Sequence, residues 1–272
     1  MSEIRPDVAD WIGSSETVDD VLTPRLATAF GAMFATGGST SLGEPVTGAI
    51  HWCLAPSIVP TAELDSDGHI RRGGFLPPVD LKQRMWAGSR TTFHDALRVG
   101  DTVSRNSVVS SIENKQGKSG ALCFVEIDHE FRTARGLAVA ERQTVVYRNA
   151  DQPPMPQPGP DHGAGDGFVF DAVTLFRYSA LTFNSHRIHY DLAYARDVEH
   201  YPGLVVHGPL QASWLLDRIV REGGMPRSFS FKGVAPLIAG RGVTIRSQST
   251  GSERQFEIVD SRGTVTLKAV AA

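Results

Sequence analysis

The sequence predicts an α+β fold built as a pseudo-dimer, in which two copies of a helix followed by antiparallel strands are joined through a linker. Three observations carry this. Both halves of the 272-residue chain end in runs that alternate apolar and polar residues, as half-buried strands do. A stretch crowded with Pro, Gly and Asp, residues 151–167, stands between them. Two short matches also recur, His51-Trp52-Cys53-Leu54 with His207-Gly208-Pro209-Leu210, and Leu97 to Val103 with Leu237 to Val243.

In chain order, the first half offers a helical start at His51, then a Pro/Gly-rich excess of sequence between Ala55 and Asp80 that includes Asp67-Gly68. Strands are expected at Thr102 to Ser111, Ala121 to Thr133 and Gly136 to Arg148. The linker ends this half, so the boundaries are 1–150, 151–167 and 168–272. In the second half Pro209 fits a first helical position, and Leu210, Ala212, Trp214, Leu215, Leu216 and Ile219 form an apolar stripe that stops at Gly223-Gly224. Strands follow at Ser228 to Val234, Gly242 to Gln248, Gln255 to Asp260 and Thr264 to Val270.

Composition narrows the function. With 27 basic against 30 acidic residues the formal charge is −3, which argues against a nucleic-acid binder that works by neutralising phosphates. Cys53 and Cys123 sit in apolar surroundings without a C-x-x-C pattern, so neither a zinc site nor a disulfide framework is expected. No secretory signal opens the chain and no apolar run is long enough to span a bilayer, so a cytoplasmic protein without membrane contact is expected.

The glycines of Gly163-Ala164-Gly165-Asp166-Gly167 follow no strand and lack dinucleotide-fingerprint spacing, and no G-x-S-x-G elbow is present, Ser213 lying within the expected helix. Chemistry is densest from Tyr178 to Asp191, through Asn184, His186, Arg187 and His189, and again from Tyr201 to Leu210. The histidines here do not form an H-E-x-x-H helix, so a metal site is not the expectation; a structural polar cluster and general acid–base chemistry remain, the latter favoured because neutral imidazole transfers protons near pH 7. His207-Gly208 ahead of a helix suits an oxyanion, because first-turn N–H groups lack partners and glycine lets a ligand approach.

These segments resemble the MaoC-like hot-dog hydratases, and in detail the hydroxyacyl-thioester dehydratase type 2 branch, which includes mesaconyl-C4-CoA (3-methylfumaryl-CoA) and itaconyl-CoA hydratases. The resemblance rests on Asn184 to Asp191, Tyr201-Pro202-Gly203-Leu204 and His207 to Leu210. The first half adds Gly73 to Pro78, Arg84-Met85-Trp86-Ala87-Gly88 and Leu97 to Asp101. It implies a double hot-dog, each half an antiparallel sheet wrapped on a central helix, with a degenerate first half that shapes the acyl pocket and one active site formed mainly by the second. Trp52 is expected where Gly208 stands.

The wider group's signature is an Asp with Asn two residues on and His five residues on. Here these positions hold Asn184, His186 and His189, so the carboxylate is missing. The resemblance implies His189 as base, Asn184 orienting water through its carbonyl, and Gly208 N–H holding an enolate oxygen. Tyr178, His186, Arg187, Arg84 and Trp86 would bind substrate, the two arginines being candidates to grip a free carboxylate. The implied activity is reversible hydration of a short branched dicarboxylic enoyl-CoA to citramalyl-CoA, with no cofactor and no metal. The alternatives are a 3-hydroxyacyl-thioester dehydratase of general short-chain substrates on CoA or acyl-carrier protein, a thioesterase using Asp191, and a non-catalytic acyl-CoA-binding protein. A homodimer of two pseudo-dimers is the compatible assembly.

Overall fold

A computed structural model describes residues 6–34, 41–117, 120–149 and 168–272; the expected linker, 151–167, lies outside the described residues. The strands are β1 (Ser15–Val21), β2 (Gln83–Phe93), β3 (Thr102–Gly117), β4 (Gly120–Thr133), β5 (Gly136–Arg148), β6 (Phe168–Val169), β7 (Ser228–Gly233), β8 (Gly242–Thr250), β9 (Glu253–Asp260) and β10 (Val265–Ala271). The α-helices are α1 (Pro24–Phe34), α2 (Ala172–Thr182), α3 (Leu192–Asp197) and α4 (Gly208–Gly223). Among the described residues no helix is long and apolar enough to cross a membrane.

All ten strands join one antiparallel sheet in the order β1-β3-β4-β5-β2-β7-β10-β9-β8-β6. The order is the same from either end once the halves are exchanged, β2 and β7 meeting in the middle, with Gly88 opposite Lys232 and Thr92 opposite Ser228. Alternation places the strands as expected: β4 buries Cys123, Val125, Ile127, His129 and Phe131 and turns the residues between them toward the other face. A register shift between Trp86 and Gly88 bends β2 at the junction. Gly88 is obligatory there, since a Cβ would lie 2.5 Å from the Phe231 carbonyl oxygen.

Helix α4 is the centre of the second half. Pro209 pre-sets its first turn and Gly224, at φ 84°, ends it. Leu210, Leu215, Leu216 and Ile219 are buried, and so are Gln211 and Ser213 on other faces, so the sheet wraps the helix on nearly all sides. The buried Gln211 is satisfied by Thr266, whose hydroxyl donates to Oε1 at 2.8 Å.

Among the described residues the first half has no such helix. At the corresponding place it makes only a 3-10 turn, Ile50–Cys53. The repeat is also registered differently from the expectation. Val46 N–H bonds Leu97 O at 2.8 Å as Val206 N–H bonds Leu237 O at 2.8 Å, and Gly100 N–H bonds Leu22 O as Gly240 N–H bonds Phe170 O. Gly48, not Trp52, therefore stands where Gly208 does. The matching histidines misled because the backbone bonds that fix register lie before them. With no long helix over β4 and β5, the inner face of the first half is left to line a cavity.

Candidate active site

The dense second-half segment folds through local bonds. Asp171 caps α2, its carboxylate accepting from Thr174 N–H, and the helix ends at Phe183 with φ 52°. Asn184 Oδ1 then accepts the His186 N–H at 2.9 Å, a side-chain turn that leads into a 3-10 turn at Arg187–His189. Asp191 caps α3 by accepting from Tyr194 N–H. His189 Nδ1 donates to Val205 O at 2.7 Å, so Nε2 is its basic nitrogen. His207, just ahead of α4, shares a hydrogen bond of 2.9 Å between Nε2 and the Ser179 hydroxyl.

Four imidazoles stand in a row. His207 stacks on His189 with ring centres 3.5 Å apart, His189 meets His186 edge-on at 5.3 Å, and His186 lies 4.0 Å from His69. Burial holds all four below the ordinary histidine range, His189 at about 4, and each positive charge would further disfavour the others. The row is neutral near pH 7.

His69 comes from the first half and sequence reasoning missed it. Asp67-Gly68 is a turn dipeptide within a Pro/Gly-rich stretch, and the histidine after it was the only available signal. Asp67 Oδ1 accepts the His69 N–H and Oδ2 accepts its Nδ1–H, both at 2.8 Å. Burial works to raise the Asp67 pKa, but the hydrogen bonds and charge of His69 hold it below the ordinary carboxylate value.

This turn is fastened to the second-half segment. Arg187 N–H donates to Asp67 O at 2.8 Å, the Arg187 guanidinium to Ser66 O at 2.9 Å, and the Ser185 hydroxyl to Gly68 O. A Cβ on Gly68, which sits at φ +88°, would fall 1.9 Å from the Ser185 carbonyl oxygen, so the approach requires glycine.

A cavity of about 800 Å³ opens between the halves. Of the expected site residues, Asn184, Tyr178, Arg84 and Trp86 line it, together with His69, Ser179 and Pro209. Tyr178 is buried, its hydroxyl 3.4 Å from that of Ser213, and Trp86 Nε1 donates to Gly88 O at 3.0 Å. His189, His186 and Gly208 are not lining residues but adjoin them: the His186 ring lies 4.0 Å from that of His69, and Gly208 precedes Pro209.

Arg187 does not line the cavity, which corrects its expected grip on a substrate carboxylate. Its guanidinium binds Asp191 at 2.7 Å and covers the Tyr194 ring, because the i,i+4 spacing puts a carboxylate within its reach. Asp191, the acid that a thioesterase would need, is thereby committed to Arg187 and to capping α3.

A second polar group, absent from the expectations, lines the first-half end of the cavity. Glu141 is buried and accepts from Trp52 Nε1 at 3.0 Å and from the Ser89 hydroxyl. His129 bridges Ser107 and Gln143, and Arg105 pairs with Glu16 at 2.7 Å.

Comparison with known proteins places this geometry. Residues 48–239 match the family described as hydroxyacyl-thioester dehydratase type 2. The chain is similar to mesaconyl-C(4)-CoA hydratase of Chloroflexus aurantiacus, with 38% identity over 266 residues and 95% of each chain covered. In fold it is similar to a MaoC-like dehydratase from Phytophthora capsici, with a TM-score of 0.68 and 15% identity over 97% of this chain and 96% of that one. It is similar as well to a Mycobacterium tuberculosis protein with a double hotdog fold, with a TM-score of 0.56 and 14% identity over 96% and 95%. The ten-stranded sheet wrapped on α4 is a double hot-dog in which, among the described residues, the first half makes a 3-10 turn where the second has its long helix. The family match runs from the first half's short 3-10 turn through α4 and takes in the histidine row and all of the cavity lining but Glu16, and the chain belongs to the hydroxyacyl-thioester dehydratase type 2 family.

Proposed function

We propose that the protein reversibly hydrates a short, branched, dicarboxylic enoyl-CoA thioester, with mesaconyl-C4-CoA as the first substrate to test and citramalyl-CoA as the product. What carries the reading is the likeness to the Chloroflexus hydratase across nearly the whole of both chains. The chemistry needs a donor for the oxygen that gains charge, a held water, a proton carrier and a cation for the free carboxylate.

Gly208 N–H is the proposed donor, being a first-turn amide of α4 without an intrahelical acceptor. Asn184 holds the water. Its carbonyl oxygen accepts from His186 N–H and keeps a second lone pair for the water, as the sequence suggests, and the amide Nδ2 adds a donor beside it. The proton carrier is an imidazole of the row, in which His189 is the member within the family's signature segment. In mesaconyl-C4-CoA the carboxylate is attached to Cβ, the carbon that water attacks. Arg84 is the proposed cation, supported by its lining the cavity beside His69, with its Nη2 donating to Ile70 O at 3.3 Å.

The test compares kcat/KM for mesaconyl-C4-CoA, itaconyl-CoA and crotonyl-CoA, following conjugated absorbance and product mass. The wild type is expected to prefer the dicarboxylic thioesters, and Arg84→Met to lose that preference by about 10²-fold or more, as a site built around a polar group does when the group goes unpaired. Equal turnover of crotonyl-CoA, unchanged in Arg84→Met, would move the reading to a general short-chain hydratase.

A further inference from the structure

We infer that His69, oriented by Asp67, is the imidazole that takes the proton from the attacking water and returns it to Cα, so that the first half donates a catalytic residue to the site. The inference rests on the hydratase reading above. Of the four histidines in the row, His69 is the one that lines the cavity, as do Asn184 and Arg84. Its Nδ1–H is given to the Asp67 carboxylate, which fixes the tautomer and leaves Nε2 as the basic atom. No described residue donates to that nitrogen.

His189 is placed less well for this step. Its Nδ1–H rests on a neutral carbonyl, that of Val205, whereas a carboxylate stabilises the imidazolium that forms when a proton arrives. Asn184 cannot accept a proton usefully, so the acid–base pair is complete only when Asp67 and His69 are counted. Arg84 beside His69 would bring the carboxylate-bearing Cβ, and hence the attacking water, toward that imidazole.

The step balances within one residue. As the water oxygen bonds to Cβ, one of its protons passes to Nε2 of His69 and the alkene pair moves through Cα onto the thioester oxygen. When that enolate collapses, Cα takes the proton from Nε2. Water has been added whole, and His69 ends neutral. His189 and His186, next in the row, are positioning residues.

Donor atoms of Asp67, His69 and His186 lie within 4.8 Å of one another, so a metal must be weighed. In this structure Nδ1 of His69 and Oδ2 of Asp67 are engaged with each other at 2.8 Å, and the chelator arm of the experiment separates a metal from a proton carrier.

The experiment uses the full chain with mesaconyl-C4-CoA. His69→Ala and His69→Gln are expected to lower kcat by about 10²–10⁴-fold, the range for a lost acid–base group, with the melting temperature retained in at least one of them. Added imidazole should restore part of the His69→Ala rate. Asp67→Asn should lower kcat and move the acid limb of kcat/KM to lower pH, because the Asp67 bond raises the His69 pKa against burial and against the charges of Arg84 and Arg72. His189→Ala should leave that limb in place. A folded His69 variant that keeps most of its kcat, or activity abolished by a chelator and restored by a divalent metal, overturns the inference while the hydratase reading stands. A wild type inactive on every enoyl-CoA overturns both.

Discussion

Asn184 shows how far a single substitution in a family signature can move chemistry. Its amide cannot replace a carboxylate as a proton carrier, and its oxygen is already engaged in the turn that presents His186. Asn184→Asp should therefore fold normally and keep measurable activity, since an ionised carboxylate accepts the same N–H bond and restores a second base. Complete loss of hydration in a folded Asn184→Asp variant would show that the amide donor itself is needed. Gly208→Ala separates space for the fold from space for substrate. A Cβ there meets only the Trp86 carbonyl oxygen at 3.6 Å, so stability should hold while kcat/KM falls. Buried neutral imidazoles also leave a mark on stability. His189 titrates near 4 when folded against an ordinary 6.5, so the unfolded chain binds the extra proton between these values, and stability is full above the upper value and lost as pH falls through the window. The melting temperature should drop between pH 6.5 and 4, and less steeply in His189→Gln.

At the scale of elements, legibility followed local regularity. Strands β3 to β5 and β7 to β10 declared themselves by alternation, and α4 by Pro209 at one end and paired glycines at the other, whereas the two-residue β6 did not. Strand β2 did not, because the bulge between Trp86 and Gly88 breaks the period of two, and its motif was read as a site rather than a strand. Helices α1 and α2 were passed over, although Leu26, Ala27, Phe30 and Phe34 carry helical spacing. The second-half site segment was legible because its bonds are short-range. His69 was not, since its ring neighbour His186, and Ser185 that fastens the adjoining Gly68, lie more than a hundred residues away and no spacing rule spans that gap. Arg187 was misread for the opposite reason: its acceptor, Asp191, was one turn away and counted as a rival role instead of a partner. The Asp67-Gly68-His69 turn is the element on which the composite site depends. Gly68→Ala meets both the positive φ and the 1.9 Å approach to Ser185 O, so it should lower the melting temperature and reduce kcat far more than Gly74→Ala, where a Cβ meets nothing within 4 Å.

For the whole molecule, the junction of β2 with β7 makes the halves interdependent. We propose the division 1–150 and 168–272 as the units of an internal duplication, and the sheet order supports it by mirroring one half in the other. Neither unit should fold alone, because separation bares the β2 and β7 edges and splits the main hydrophobic core, in which Phe30 and Phe131 pack with Leu210, Trp214 and Phe231. Co-expressed, the two pieces should recover activity; a stable, monomeric first unit by itself would count against the proposal.

The fastening of Gly68 to Ser185 also orders events during synthesis. The turn that carries Asp67 and His69 leaves the ribosome well before the segment that holds it. Folding of the first half cannot by itself set the imidazole in place. Hydratase activity is therefore expected to appear during synthesis only after the last half of the chain has arrived and docked.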